Sequence, residues 1–152
     1  MNKFKKYFLL FLLFSTFTNC FKDNATQNNK LPYVFVQLDI NLGFHLGELG
    51  FIGGSEIFDH NGRKILVYRT DVSSFRAFDL ACPHLYPSEC GVPMRFDDST
   101  LPFIICDCGE EEVRYSLVNI PVEYQGEYYQ MKEYFAVLSG NVENGGVLRI
   151  TN

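Results

Sequence analysis

The sequence has no tryptophan, only 6 prolines and 3 histidines, and one apolar run of any length. Basic residues are also scarce: 13 Lys and Arg stand against 18 Asp and Glu, a formal net charge of −5. An acidic chain lacks the broad positive footprint that neutralises a phosphate backbone, so nucleic acid is not an expected partner. There is no Ser/His/Asp arrangement, no phosphate-cradling glycine loop and no recognisable pair of catalytic carboxylates, so no enzyme chemistry is expected. Five cysteines are too few for a disulfide-dense mini-scaffold. What is present is apolar bulk. Fifteen Phe, nine Tyr and a 47% hydrophobic content exclude a disordered chain. With 12 glycines and few alanines, that composition favours sheet over a helical bundle. A chain of 152 residues has room for one domain around one core.

The single apolar run lies at the start. Met1 to Lys6 carries three lysines, and Tyr7 to Phe17 is almost wholly apolar. As a helix, those 11 residues would span about 16 Å at about 1.5 Å per residue, roughly half a bilayer core. A basic stretch followed by a short apolar one is the pattern of a secretory signal. Phe17-Thr18-Asn19-Cys20 resembles the lipobox of bacterial lipoproteins, whose cysteine is diacylated and becomes the first mature residue. Asn19 stands where that pattern carries a small residue, and a plain secreted protein with an unlipidated Cys20 is the alternative. Residues 1–19 are therefore expected to be a lipoprotein signal peptide, and residues 20–30 the lipidated Cys20 with a flexible polar tether. Residues 31–152 would form the folded domain. Acyl chains contribute about 0.8 kcal/mol per buried CH₂, enough to hold such a domain on a membrane. Removal of the signal takes away Lys3, Lys5 and Lys6, leaving 10 basic against 18 acidic residues, or −8. Lys22-Asp23 resembles a charged signal that sends some lipoproteins to the outer membrane. The expected location is the bacterial cell envelope, with the membrane and an envelope protein as partners.

The remainder reads as all-β. Val34, Val36, Leu38 and Ile40 alternate with Phe35, Gln37 and Asp39, the period of a half-buried strand. Glycines at 43, 47, 50, 53 and 54 break the next segment too often for a regular helix. Asn61-Gly62 then separates two apolar runs within Ile57 to Tyr68, the chemistry of a type I′ hairpin turn. Further strands are expected at Phe75–Ala81, Val92–Phe96, Phe103–Cys106 and Val113–Leu117. A closing hairpin joins Tyr134–Leu138 to Val147–Ile150.

Four cysteines and a histidine form the one constellation with chemistry. Cys82, His84 and Cys90 lie in one short loop, Cys106 and Cys108 in another, and 21 residues separate His84 from Cys106. Each loop follows an expected strand. Cys-x-His and Cys-x-Cys loops that converge could bind one soft cation or cluster, because thiolate and imidazole are the donors such centres use. In an exported protein the same four thiols could instead form two disulfides, and four cysteines allow three pairings.

These residues resemble the Rieske iron–sulfur domain, an all-β family with Cys-x-His and Cys-x-x-His loops. Cys82-Pro83-His84 matches the first loop as it stands. Ile65 to Arg69, Phe75 to Asp79 and the closing stretch Tyr134 to Ile150 are similar to Rieske strands. The resemblance spans most of Leu31 to Thr151 and is nearest to the Rieske-fold lipoproteins of Gram-negative bacteria. It implies an antiparallel sheet sandwich carrying the two Cys/His loops, with Cys90 and Cys108 as the disulfide that clamps the cluster in respiratory members. The second loop departs at a decisive place. The family's second loop reads Cys-x-Cys-His-Gly, whereas Cys106-Asp107-Cys108 runs straight into Gly109, so one residue, the second histidine ligand, is missing. Glu110 replaces a serine that tunes the cluster, and Glu111 and Glu112 add charge that would lower the potential of any centre beside them.

Three versions of the site follow. With Cys90 paired to Cys108, Cys82, His84 and Cys106 are an incomplete ligand set. With Cys108 as substitute ligand, Cys82, His84, Cys106 and Cys108 could hold a 2Fe-2S cluster or tetrahedral zinc. With no metal, two disulfides staple the loops. The missing histidine places the metal-free version first, and with it a non-enzymatic envelope interaction module. Single-electron transfer through a cluster is the rival, and a structural zinc site the third reading. Elsewhere, His45 and His60 read as surface or capping histidines, Asp97-Asp98 as a solvated turn, and Glu110 to Glu112 as a solvated charge run. Tyr124, Tyr128, Tyr129 and Tyr134 read as half-buried edge packing, with a binding face as the alternative.

Overall fold

Residues 29–96 and 103–152 are described by the computed structural model, and the regular structure in them is almost entirely antiparallel sheet. The strands are β1 (Gln37–Asn41), β2 (Ser55–His60), β3 (Arg63–Arg69), β4 (Phe75–Asp79), β5 (Arg95–Phe96), β6 (Phe103–Cys106), β7 (Val113–Ser116), β8 (Val122–Tyr124), β9 (Glu127–Tyr129), β10 (Glu133–Ser139) and β11 (Val147–Thr151). The chain is thus all-β, as its composition implied. Cys20, the signal and most of the tether lie outside the described residues, as does Asp97-Asp98.

Six strands form one sheet in the order β1-β11-β10-β4-β3-β2. Its two edge strands approach each other. The Gln37 N–H at the start of β1 donates to His60 Nε2 at the end of β2 (3.4 Å), and the Asn61 amide donates to the Phe35 carbonyl (3.1 Å). The sheet therefore curls into a nearly closed barrel, the outcome of strand twist carried over six strands. Inside it, Ile65, Val67, Phe75 and Ala77 meet Val36, Ile40, Leu148 and Ile150. The opposite face of β3 and β4 is covered as well. Leu66, Phe78 and Leu80 share a cluster with Ile104 and Tyr115 of the smaller sheet β5-β6-β7 and with Leu117 just after it. Consecutive residues Ile65, Leu66 and Val67 are all fully buried, which is why this strand reads as an unbroken apolar run and not as alternation.

The structure differs from the sequence reading at four elements, the simplest being β5, which keeps only Arg95–Phe96 of the expected Val92–Phe96. Burial alternates from Val34 to Ile40 as expected, but the ladder begins only at Gln37. Its partner β11 ends at Thr151, so residues 34 and 36 bond instead to the Asn152 side chain, which donates to the Val34 carbonyl and accepts from the Val36 N–H. The glycine-rich segment contains a 3-10 turn at Leu42–Phe44 and a one-turn helix α1 (Leu46–Leu49). Leu42 and Leu49 are buried there, and a Cβ on Gly50 or Gly54 would collide with the carbonyl of Leu46 or Glu48. Buried Arg69 fastens this segment by donating to the carbonyls of Leu49 and Gly50 as well as Asp71 and Val72. The last difference is the β8–β9 hairpin, which no periodicity announced. Its arms are three residues each, and its turn is Gln125-Gly126, both with positive φ (51° and 81°). Asn61-Gly62 adopts the same mirror-turn geometry (50° and 74°) with a residue pair that signals it far better.

Because both faces of β3 are buried, Leu66→Ala should cost about 2–5 kcal/mol in urea unfolding, whereas Phe44→Ala at an exposed position should stay within about 0.5 kcal/mol.

Candidate functional site at the two cysteine loops

The two cysteine loops leave neighbouring layers of the fold. Strand β4 ends at Asp79, which is almost fully buried and sets the exit of the first loop. One Asp79 oxygen accepts from the Ala81 N–H (2.9 Å), and the other accepts from the Tyr134 hydroxyl (2.8 Å) and lies 3.7 Å from Arg63. Burial and the Asp79 charge raise the Tyr134 pKa, keeping that phenol a donor. A charge-assisted contact on the residue just before Cys82 fixes where the loop starts. Strand β6 delivers Cys106 at its last position. Its neighbour β7 supplies Tyr115.

The loops are joined twice. Cys82 is bonded to Cys106 and Cys90 to Cys108, with Cα–Cα distances of 5.6 and 5.5 Å, inside the ordinary disulfide range. The bridges lie against each other: the sulfurs of Cys82 and Cys90 are 3.5 Å apart, and those of Cys82, Cys90 and Cys108 all fall within 4.8 Å. Cys82 and Cys106 are buried, and Cys108 is partly exposed.

His84 sits beside this sulfur group and is 1% exposed. Its Nε2 is 3.9 Å from Cys106 Sγ, and its Nδ1 is 2.7 Å from the Tyr115 hydroxyl. Three phenol rings surround it: Tyr124 at 4.3 Å and Tyr115 and Tyr129 at 6.0 Å, centroid to centroid. Burial depresses the His84 pKa, and the positive charge of Lys30 lowers it further, so the ring is neutral. Lys30, the last residue of the expected tether, is held here. Its N–H donates to the Pro83 carbonyl (2.8 Å), and its ammonium lies over the rings of Tyr86 and Tyr129. Tyr115 is pushed up chiefly by burial, and Tyr129 reaches about 12 because its hydroxyl donates to Glu127.

Five of the six residues singled out in the sequence therefore meet at one place: Cys82, His84, Cys90, Cys106 and Cys108. The tyrosines were undervalued. Tyr124 and Tyr129 cover His84, and Tyr134 holds Asp79; only Tyr128 faces solvent. The Gln125-Gly126 turn was the one signal that could have placed Tyr124 and Tyr129. Glu110, Glu111 and Glu112 are exposed, with Glu112 paired to Arg95 and Arg114. His45 is the N-cap residue of α1 without a side-chain cap bond, and its Nδ1 instead contacts the Glu56 carboxylate at 2.8 Å.

The donor set decides what this geometry can bind. A disulfide sulfur is not a thiolate, so among Cys82, His84, Cys106 and Cys108 only His84 keeps a free donor in the bridged form. A cluster or tetrahedral zinc needs four. The bridged form fits neither, and only reduction would release the sulfurs as ligands.

The fold and site together define an antiparallel all-β protein with two cross-loop disulfides packed against a buried histidine. The chain matches no protein-family model, no curated protein and no solved structure.

Two outcomes follow from the site. His84 binds a proton less readily when folded than at its unfolded value of about 6.5. As pH falls below that value the unfolded chain takes up a proton that the folded one refuses, so stability declines. The slope of urea stability between pH 7.5 and pH 5.5 should flatten in His84→Gln. Removing the outer bridge as the pair Cys90→Ser and Cys108→Ser should cost about 3 kcal/mol from lost chain entropy, measured at pH 7.

Proposed function

We propose that this chain is a membrane-anchored bacterial envelope lipoprotein whose β domain is of the Rieske type, with two disulfides in place of a metal centre. It acts as a non-enzymatic interaction module. The anchor is an acylated Cys20, and residues 20–30 form the tether that brings the domain off the membrane. The observation that carries this reading is the double bridge. Loops leaving β4 and β6 converge as the Rieske resemblance implies, yet every thiol of the would-be ligand set is spent in joining one loop to the other. The second support is at the missing ligand: Gly109 stands in the second loop, and a Cβ there would come 4.0 Å from the Tyr124 hydroxyl. The Tyr124 ring packs against His84 at 4.3 Å, centroid to centroid.

An interaction module needs surface to offer. Phe44, Leu46, Phe51 and Ile52 are exposed on the one segment between β1 and β2. Large apolar side chains gathered in one stretch favour binding over catalysis.

Metal analysis of anaerobically purified protein with a visible spectrum tests the reading. Colourless protein with neither iron nor zinc, and four cysteines protected from alkylation without reductant, is the expected result. Brown protein with acid-labile sulfide would transfer the reading to electron transfer. Colourless protein whose melting temperature drops on chelation would transfer it to a zinc site. Intact mass of the membrane-extracted form should show the chain starting at Cys20 with acyl additions.

A further inference from the structure

A stapled loop needs only one bridge between its arms, and here two lie in direct sulfur contact. We propose that the bridges form a single thiol–disulfide exchange site: an external dithiol opens Cys90–Cys108, and the freed Cys90 takes Cys82 from the inner bridge and releases Cys106. This rests on the metal-free, bridged reading and adds an activity to it.

Placement sets the order of events. Cys82 and Cys106 are 3% and 1% exposed, so a reagent in solution has no direct path to them. The outer bridge is the more accessible of the two through Cys108, Cys90 itself being 8% exposed. Cys108 is partly exposed, and Cys90 lines a cavity of about 260 Å³ shared with Arg63, Lys64, Gly91 and Val92. Once Cys90 is free, its sulfur is already 3.5 Å from Cys82, at van der Waals contact with the sulfur it must attack.

The chemistry balances in two steps. The dithiol is oxidised to its own disulfide while Cys90–Cys108 gains two electrons and two protons, giving two thiols. The Cys90 thiolate then bonds to Cys82 as the Cys82–Cys106 bond breaks, with no net change in oxidation state. Cys106 leaves as a thiolate, and the proton lost by Cys90 is available to it. His84 is the positioning residue at this end. In the tautomer where Tyr115 donates to Nδ1, the neutral ring carries its proton on Nε2, which faces Cys106 at 3.9 Å and can donate toward the leaving sulfur. A plain structural bridge pair would need no such donor on its buried member.

Partial reduction of the native protein tests the proposal. Oxidised protein is treated with one equivalent of dithiothreitol, quenched in acid, alkylated with N-ethylmaleimide and mapped by mass spectrometry. Molecules with two thiols should include the non-native Cys82–Cys90 bridge, with label on Cys106 and Cys108. Label confined to Cys90 and Cys108 would overturn the exchange step while leaving the bridged reading intact. Equal early labelling of all four cysteines would overturn the inward order. A Cys108→Ser variant supplies the same species without reductant: Cys90 labelling should fall as Cys106 labelling rises. Full labelling of Cys90 in folded variant, with Cys106 protected, counts against the transfer. Four free thiols with bound iron or zinc in fresh protein would overturn the bridged reading and the exchange with it.

Discussion

The arrangement of the molecule depends on β3 and β4 being covered on both faces. A strand pair in a half-exposed barrel would show water on its outer side, but here Leu66, Phe78 and Leu80 look outward into a second apolar cluster. Burying those side chains requires the β5-β6-β7 sheet to lie against the barrel wall. That docking brings the end of β6 beside the loop that leaves β4, and hence Cys106 beside Cys82. The disulfides lock a meeting that the apolar layers arrange.

His84 belongs to the same layer. It is a polar ring enclosed by Tyr115, Tyr124 and Tyr129, with its ring nitrogens directed at a phenol and a sulfur. Such burial is tolerated because the ring stays neutral and Nδ1 has a partner at 2.7 Å. Protonation would place a charge there with the Lys30 ammonium nearby. Asp79 is handled differently. Its carboxylate is just as buried, yet the Ala81 N–H, the Tyr134 hydroxyl and Arg63 all face it. One buried polar side chain thus fixes the root of the loop and another borders its sulfur group.

Disulfides between the same two loops act on the unfolded chain as well as on the folded one. Each closes part of the segment between Cys82 and Cys108, so the pair restrains the unfolded ensemble more than either bridge alone. In return the site loses the thiolates that metal binding requires.

Chemistry carried in adjacent residues was readable in the linear chain. Asn61-Gly62 encodes its turn through backbone conformations that those residues adopt without strain, and the alternation from Val34 to Ile40 encodes a barrel-facing side even where the ladder fails. The cysteine spacing marked the loops for the same reason: the reactive side chains announce themselves. Pairing was another matter. Spacing alone left three connectivities open and the Rieske resemblance implied only Cys90–Cys108; the docking of the small sheet on the barrel, through contacts far apart in sequence, places Cys82 against Cys106 as well as Cys90 against Cys108. The β8–β9 hairpin was hidden because arms of three residues are too short to show a period. Its Tyr124 and Tyr129 gained their role by lying across a histidine some 40 residues away. Local backbone preference is written residue by residue, whereas which distant side chains share a buried space is settled by the packing of layers.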